Sequence, residues 1–361
     1  MAYEIPNVEL DYNVDSGPAI QDAIDNSKKA VFIPGRIATG QTLILPFKIG
    51  NHIKGHGPSG LIHPNHKLNG GGSSITWIGD KGAVVRAFGN RFTWDGVSIF
   101  GHRPQEDSRA NIGFQLVRPE DQEEITGTGR GVFNNLTIQG CIVAMSLGRV
   151  METSMCDVLT FEGLTQFEFC KVGFQVKNEM GMGFKFNRLF PREVETIFDF
   201  QHGGSLNVDQ ITVADNTARN LLRIGNTNRN GSAYRFGHVK IDAKNESIML
   251  VNMRNPGEAY ISFDQIQRSR RLSGQNERPL QFLIRGNTTL KINGHNGMNV
   301  NSIKALDPNP GNVIVLNGCR ILPDNPIDLL TKDSQNPVTL ILKSCYDINS
   351  RGIPDTMLSP D

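Results

Sequence analysis

The feature that most constrains this chain is a six-residue pattern, apolar-x-x-apolar-x-apolar, whose two middle positions are usually Asn, Asp, Gly, Gln or His. It occurs at Trp94/Val97/Ile99, Phe133/Leu136/Ile138, Val208/Ile211/Val213, Phe236/Val239/Ile241 and Leu316/Cys319/Ile321, with partial copies at Met155/Val158, Phe186/Leu189 and Phe263/Ile266. Copies recur irregularly, at steps of roughly 20 to 40 residues, the mark of a stacked solenoid. A two-residue break in which one residue can enter the left-handed region turns the chain sharply while both flanking side chains still point inward. One such turn cannot bury its own apolar face. Coils stacked about 4.8 Å apart join those faces into a continuous core.

The rest of the chain agrees. From Val31 onward it reads as strand-length apolar runs broken by Gly, Asn, Asp and Pro, such as VFIPG, TLILP, FTWDGVSIFG, SLNVDQITVADN, AYRFGHVKIDAKN and VTLILKSC. Only one segment has helical spacing: Asp15-Ser16-Gly17-Pro18 supplies a start, and Ile20, Ala23 and Ile24 recur on one face. With no second helix, an alternating βαβ architecture is excluded. The expected organisation is an N-terminal segment with a capping helix over 1–30, a β-solenoid over 31–345, and a tail over 346–361 that covers the far end. Exposed strand edges at both ends need such cover.

Thirty-seven basic side chains against 36 acidic ones give a net charge of +1, so the lopsided basic surface of a nucleic-acid binder is missing. Apolar runs are too short to span a bilayer, and a soluble chain with no membrane partner is expected. Cys141, Cys156, Cys170, Cys319 and Cys345 lack CxxC spacing and mostly sit in apolar runs, so they read as reduced core residues. Residues 1–13 show no basic region followed by an apolar stretch. The expectation is therefore cytoplasmic synthesis, with a virion-associated or extracellular destination.

Residues 15–25 (DSGPAIQDAID), followed by Val31-Phe32-Ile33-Pro34-Gly35 and Ile53-Lys54-Gly55-His56-Gly57, resemble the opening of pectate-lyase-superfamily (pectin-lyase-like) proteins. That family shows an AIQ-type capping helix, a V-x-I-P-x-G strand and an I-x-G-x-G first coil. Phe92-Thr93-Trp94-Asp95-Gly96-Val97-Ser98-Ile99 and Asn134-Asn135-Leu136-Thr137-Ile138 look like its coils. The resemblance spans 15–101 and continues as repeat texture. It implies a right-handed single-stranded parallel β-helix whose outer face grips a sugar polymer, as in polysaccharide-degrading enzymes and phage tailspikes. The catalytic sets of the family do not carry over. Gly55-His56-Gly57 sits in the first coil without the paired aspartates and Arg-x-Lys of polygalacturonases. Arg188-Leu189-Phe190-Pro191-Arg192 departs in spacing from the Arg-x-Pro-x-x-Arg element of calcium-dependent lyases.

Alternation within the strand runs GFQVKN, TIFDFQH, NLLRIGN and QFLIRGN points certain side chains outward. With Phe198/Phe200 and Leu222/Ile224 inward, Asp199 and Arg223 become neighbours on adjacent coils and the candidate catalytic pair. Gln175, Lys177, Gln201, His202 and Arg285 are the candidate substrate-binding residues beside them. A guanidinium beside a carboxylate suits a uronate-bearing or neutral sugar. Lyase chemistry would further ask for a base and for a cation against the developing enolate. The competing reading is an ordinary ion pair on a sheet. Hydrolysis would instead need two carboxylates about 5–10 Å apart, and Asp199, Asp209, Asp215, Glu179 and Glu195 offer several pairings. Asp157, Asp209 and Asp264 recur at turn positions and read as structural.

His52, His56, His63 and His66 cluster in sequence, but Pro64 and the turn context make surface histidines the expectation, with no metal site. No cofactor is expected; calcium would enter only with lyase chemistry. The excursion 101–130 is a candidate specificity loop. Two functions follow. One is a polysaccharide-binding protein that cleaves its ligand by lyase or hydrolase chemistry. The other is a non-catalytic structural or adhesive element of a virion or large assembly, for which a homotrimer is the expected state.

Overall fold

A computed structural model describes residues 3–4, 14–27, 30–46, 50–57, 72–88, 91–101, 110–118, 129–149, 157–178, 181–214, 218–226, 232–242, 248–268, 280–295, 297–298, 301–307, 311–331, 334, 338–347 and 349–358. The chain contacts resolve into two compact units, Met1–Val194 and Glu195–Asp361.

In Met1–Val194 each coil contributes three strands, and each strand pairs in parallel with its counterpart one coil later. The first face runs through Val31–Ile33, Asn51–Gly55, Phe92–Asp95, Gly131–Asn134 and the start of Leu159–Val176. A second face runs through Arg36–Thr39, Ser73–Trp77, Val97–Phe100 and Thr137–Gln139. The third runs through Leu43–Leu45, Ala83–Ala87, Ile112–Leu116 and Val143–Leu147. This is a parallel β-helix.

Its turns explain the sequence pattern. Trp94, Phe133 and Phe161 stand in register on consecutive coils, and two residues beyond each of them the backbone is left-handed: Gly96 at φ 64°, Asn135 at φ 49° and Gly163 at φ 67°. Glycine and asparagine enter that region most cheaply. Here Asn135 also accepts a hydrogen bond from the Leu164 N–H through Oδ1 at 3.2 Å. Inside, the rings stack: Phe133 on Phe161 at 4.8 Å and 5°, then Phe161 on Phe186 at 4.0 Å and 2°. All three are fully buried.

The helix spans Gly17–Asn26 and buries Ile20, Ala23 and Ile24, as the spacing predicts. Asp15 starts it by accepting from the Gly17 and Gly40 N–H groups at 2.8 and 3.0 Å. Gln21 then treats the edge strand Leu43–Leu45 as a partner. Its Oε1 accepts from Ile44 N at 2.7 Å, and its Nε2 donates to Ile44 O at 3.0 Å. A side-chain amide thus satisfies backbone groups that an open coil would leave bare.

In Glu195–Asp361 one face stacks Ser205–Val213, Ser232–Ile241, Glu258–Arg268, Asn287–Asn293, Asn312–Asn317 and Val338–Lys343, all parallel. Another stacks residues 196–200 on Asn220–Ile224, Met249–Met253, Gln281–Arg285 and Ile303–Leu306. Thr356–Leu358 closes the last coil, lying antiparallel on Val338–Lys343, so the tail does cover the strand edge. Cys319 and Cys345 are buried here, as Cys141 and Cys170 are in the other unit. Cys156, Glu179, Asp215, His63, His66 and most of the 101–130 excursion lie outside the described residues. Among the described residues, no helix is long and apolar enough to cross a membrane.

Candidate functional site

Thr196, Asp199, Asn220, Arg223 and Asn252 share one lateral face of Glu195–Asp361 because parallel pairing in register puts like positions side by side: Thr196 with Asn220, and Asp199 with Arg223 and then Asn252. Phe198, Phe200, Leu222 and Ile224 point inward and are fully buried. Alternation therefore turns Asp199 and Arg223 to the other side of the sheet.

The two side chains form a bidentate pair. Arg223 donates from Nε to Oδ1 and from Nη2 to Oδ2 of Asp199, both at 2.7 Å. The Asp199 side chain is only 4% exposed and that of Arg223 is 21% exposed. The hydrogen bonds to Asp199 raise the guanidinium pKa above its ordinary value although burial opposes this, with the negative charges of Asp199 and Glu195 adding to the rise. Arg223 is thus a fixed cation. Of its five N–H donors, the two on the side-on edge serve Asp199, leaving three that include the end-on Nη1/Nη2 edge. A planar guanidinium can take a second carboxylate there with two parallel bonds.

Amides extend the face. Asn252 donates through Nδ2 to Asn220 Oδ1 at 2.8 Å, and Asn220 donates to Thr196 Oγ1 at 3.4 Å. Arg219 and Glu195 approach to 3.7 Å, but their side chains are 73% and 37% exposed, so solvent screens that pair. Sequence reasoning missed Asn220, Asn252, Thr196 and Arg219. Setting residues 220–224 (NLLRI) against 249–253 (MLVNM) places Asn252 beside Arg223.

Other candidate residues are dispersed. Gln201 and His202 follow directly on the residue-196–200 strand and are half-buried. Arg285, also half-buried, stands three coils away from Gln201, roughly 14 Å along the stack. Gln175 and Lys177 belong to Met1–Val194. There Gln175 lies in register with Ser146 and Gln115. It points away from the core as alternation predicts, yet it is buried, with 8% exposure. Asp264 accepts from Asn293 Nδ2 at 3.4 Å between adjacent coils. His52 and His56 are exposed, and His56 sits edge-on against Phe32 at 4.7 Å.

No family model matches this chain, and no curated protein matches it. Among solved structures, a mutant of DFA-IIIase from Arthrobacter chlorophenolicus A6 in complex with DFA-III is similar at 12% identity and a TM-score of 0.48, over 97% of this chain and 86% of that one.

Proposed function

We propose that this protein binds an acidic polysaccharide along the lateral face of Glu195–Asp361, taking a uronate carboxylate on the end-on edge of Arg223. The observation that carries the reading is the side-on bidentate pair. Asp199 fixes the guanidinium plane and its charge, so little side-chain entropy remains to be lost on binding. Asn220 and Asn252 supply neighbouring amides for sugar hydroxyls. In this reading Asp199 is a positioning residue, and Gln201 and His202 border the track.

The same geometry favours binding without cleavage, and so the non-catalytic adhesive role. Both Asp199 oxygens already accept from Arg223, whereas a general base must reach the proton it removes. The proposal needs no cofactor. Titration calorimetry with oligogalacturonate tests it: Arg223→Lys keeps the charge but loses the planar fork, and should bind at least tenfold more weakly. Parent-like affinity in that variant refutes the assignment. New absorbance near 235 nm or new reducing ends during incubation would refute the binding-only role.

A further inference from the structure

A second lateral feature of Glu195–Asp361 lies on its other stacked face. It is a cleft of about 420 Å³ lined by Ser232, Glu258, Tyr260, Asn287, Thr289 and Val313, together with Ala259 and Gly311. That volume falls among those of small-molecule sites. The strand Glu258–Arg268 places Glu258 and Tyr260 on the same outward side, with Ala259 turned in between them. One coil later, Asn287 stands beside Glu258 and Thr289 beside Tyr260, and Val313 follows Thr289 on the next coil.

Tyr260 is the exception on this surface. It is one of few large apolar side chains left exposed, at 37%. Its register neighbours are small: Ala233 on one side and Thr289 on the other. Neither can cover an aromatic face, so the ring borders open space. Aromatic faces are electron-rich and attract the weakly positive C–H face of a pyranose. Around the ring stand a carboxylate, an amide and a hydroxyl, spaced about 4.8 Å between coils and about 6.6 Å along the strand. Those spacings let groups on different sides of one sugar ring be reached together. Among the described residues lining the cleft, Glu258 is the one formally charged side chain. A carboxylate accepts strong hydrogen bonds from hydroxyls and repels a uronate.

We infer that this cleft is a subsite for a neutral hexopyranose chain. The ring stacks on Tyr260, its vicinal hydroxyls donate to Glu258, and Asn287 and Thr289 complete the polar contacts. The inference stands independently of the acidic-glycan site at Arg223, since it uses other residues and the opposite charge preference.

Titration calorimetry with cellohexaose, mannohexaose and maltohexaose tests it on the full chain, with oligogalacturonate and tetralysine as charged probes. At least one neutral hexaose should bind, and Tyr260→Ala should weaken it tenfold or more with the melting temperature unchanged. Glu258→Gln should weaken it several-fold. Saturating oligogalacturonate should leave the bound hexaose in place, which separates this site from the one at Arg223. Absence of binding by all three hexaoses, parent-like affinity in Tyr260→Ala, displacement by oligogalacturonate, or tighter binding of tetralysine would each overturn the proposal.

Discussion

Glu168 carries the sharpest prediction. It lies on the strand Leu159–Val176 in register with Gln139, is fully buried, and neither carboxyl oxygen has a hydrogen-bond partner among the described residues. Burial, partly offset by the Arg192 charge and reinforced by Glu193, pushes its pKa from 4.5 up to about 7. The folded state therefore holds this proton more tightly than the unfolded chain does. The resulting stabilisation is complete below pH 4.5 and is lost as pH rises through 7. At 1.36 kcal/mol per tenfold change in proton affinity, the rise from 4.5 to about 7 amounts to about 3 kcal/mol, a large share of a marginal folding free energy. Glu168→Gln keeps the shape and removes the charge. Urea unfolding of both proteins at pH 4 and pH 9 measures the effect. The variant should match the parent at pH 4 and exceed it by about 3 kcal/mol at pH 9. An equal pH dependence in the two proteins would show that Glu168 is paired or hydrated in the fold, and the reasoning would fail.

Burial lowers the His295 pKa from 6.5 to about 4, so its contribution is present above pH 6.5 and is lost as pH falls toward 4; His295→Gln should flatten that acid limb in the same unfolding experiment. Phe161→Ala empties the centre of the aromatic column and should cost about 3–5 kcal/mol, read as a lower urea midpoint with little change in slope. Arg223→Ala removes both charge-assisted bonds to the 4%-exposed Asp199 carboxylate and should cost about 3 kcal/mol, read as a lower urea midpoint at pH 7. Asn135→Ala at φ 49° should cost about 1 kcal/mol, whereas Asn135→Gly should cost less; the order of the two melting temperatures decides the matter.

The coils were legible because their turns are chemical. Asp95-Gly96 and Asn134-Asn135 advertise left-handed backbone, and the flanking Trp94 and Phe133 are inward as their spacing says. The Asp199–Arg223 contact was legible for a related reason: once Phe198 and Leu222 are known to be inward, register leaves the pair no other place. Exposure was not legible. Alternation tells which side of a sheet a residue takes but not what lies over that side, so Gln175 read as a surface residue and is buried. Glu168 was hidden for another reason. The residue after it, Phe169, has φ 52°, and at such a corner the period of two breaks, so Phe167 and Glu168 are both buried. Tyr260 and Glu258 escaped because an outward Tyr gains its meaning from small neighbours on other coils, Ala233 and Thr289, far away in sequence.

The reversed strand Thr356–Leu358 has a consequence beyond covering an edge. Among the described residues, the other pairings between strands of Glu195–Asp361 are parallel, so a bare final coil would offer a template of fixed polarity on which a second molecule could keep building. A short segment of opposite polarity occupies that template and presents only its own three-residue rim. On that face, a second molecule stacking head to tail would meet a strand of the wrong direction rather than a charged or bulky obstacle.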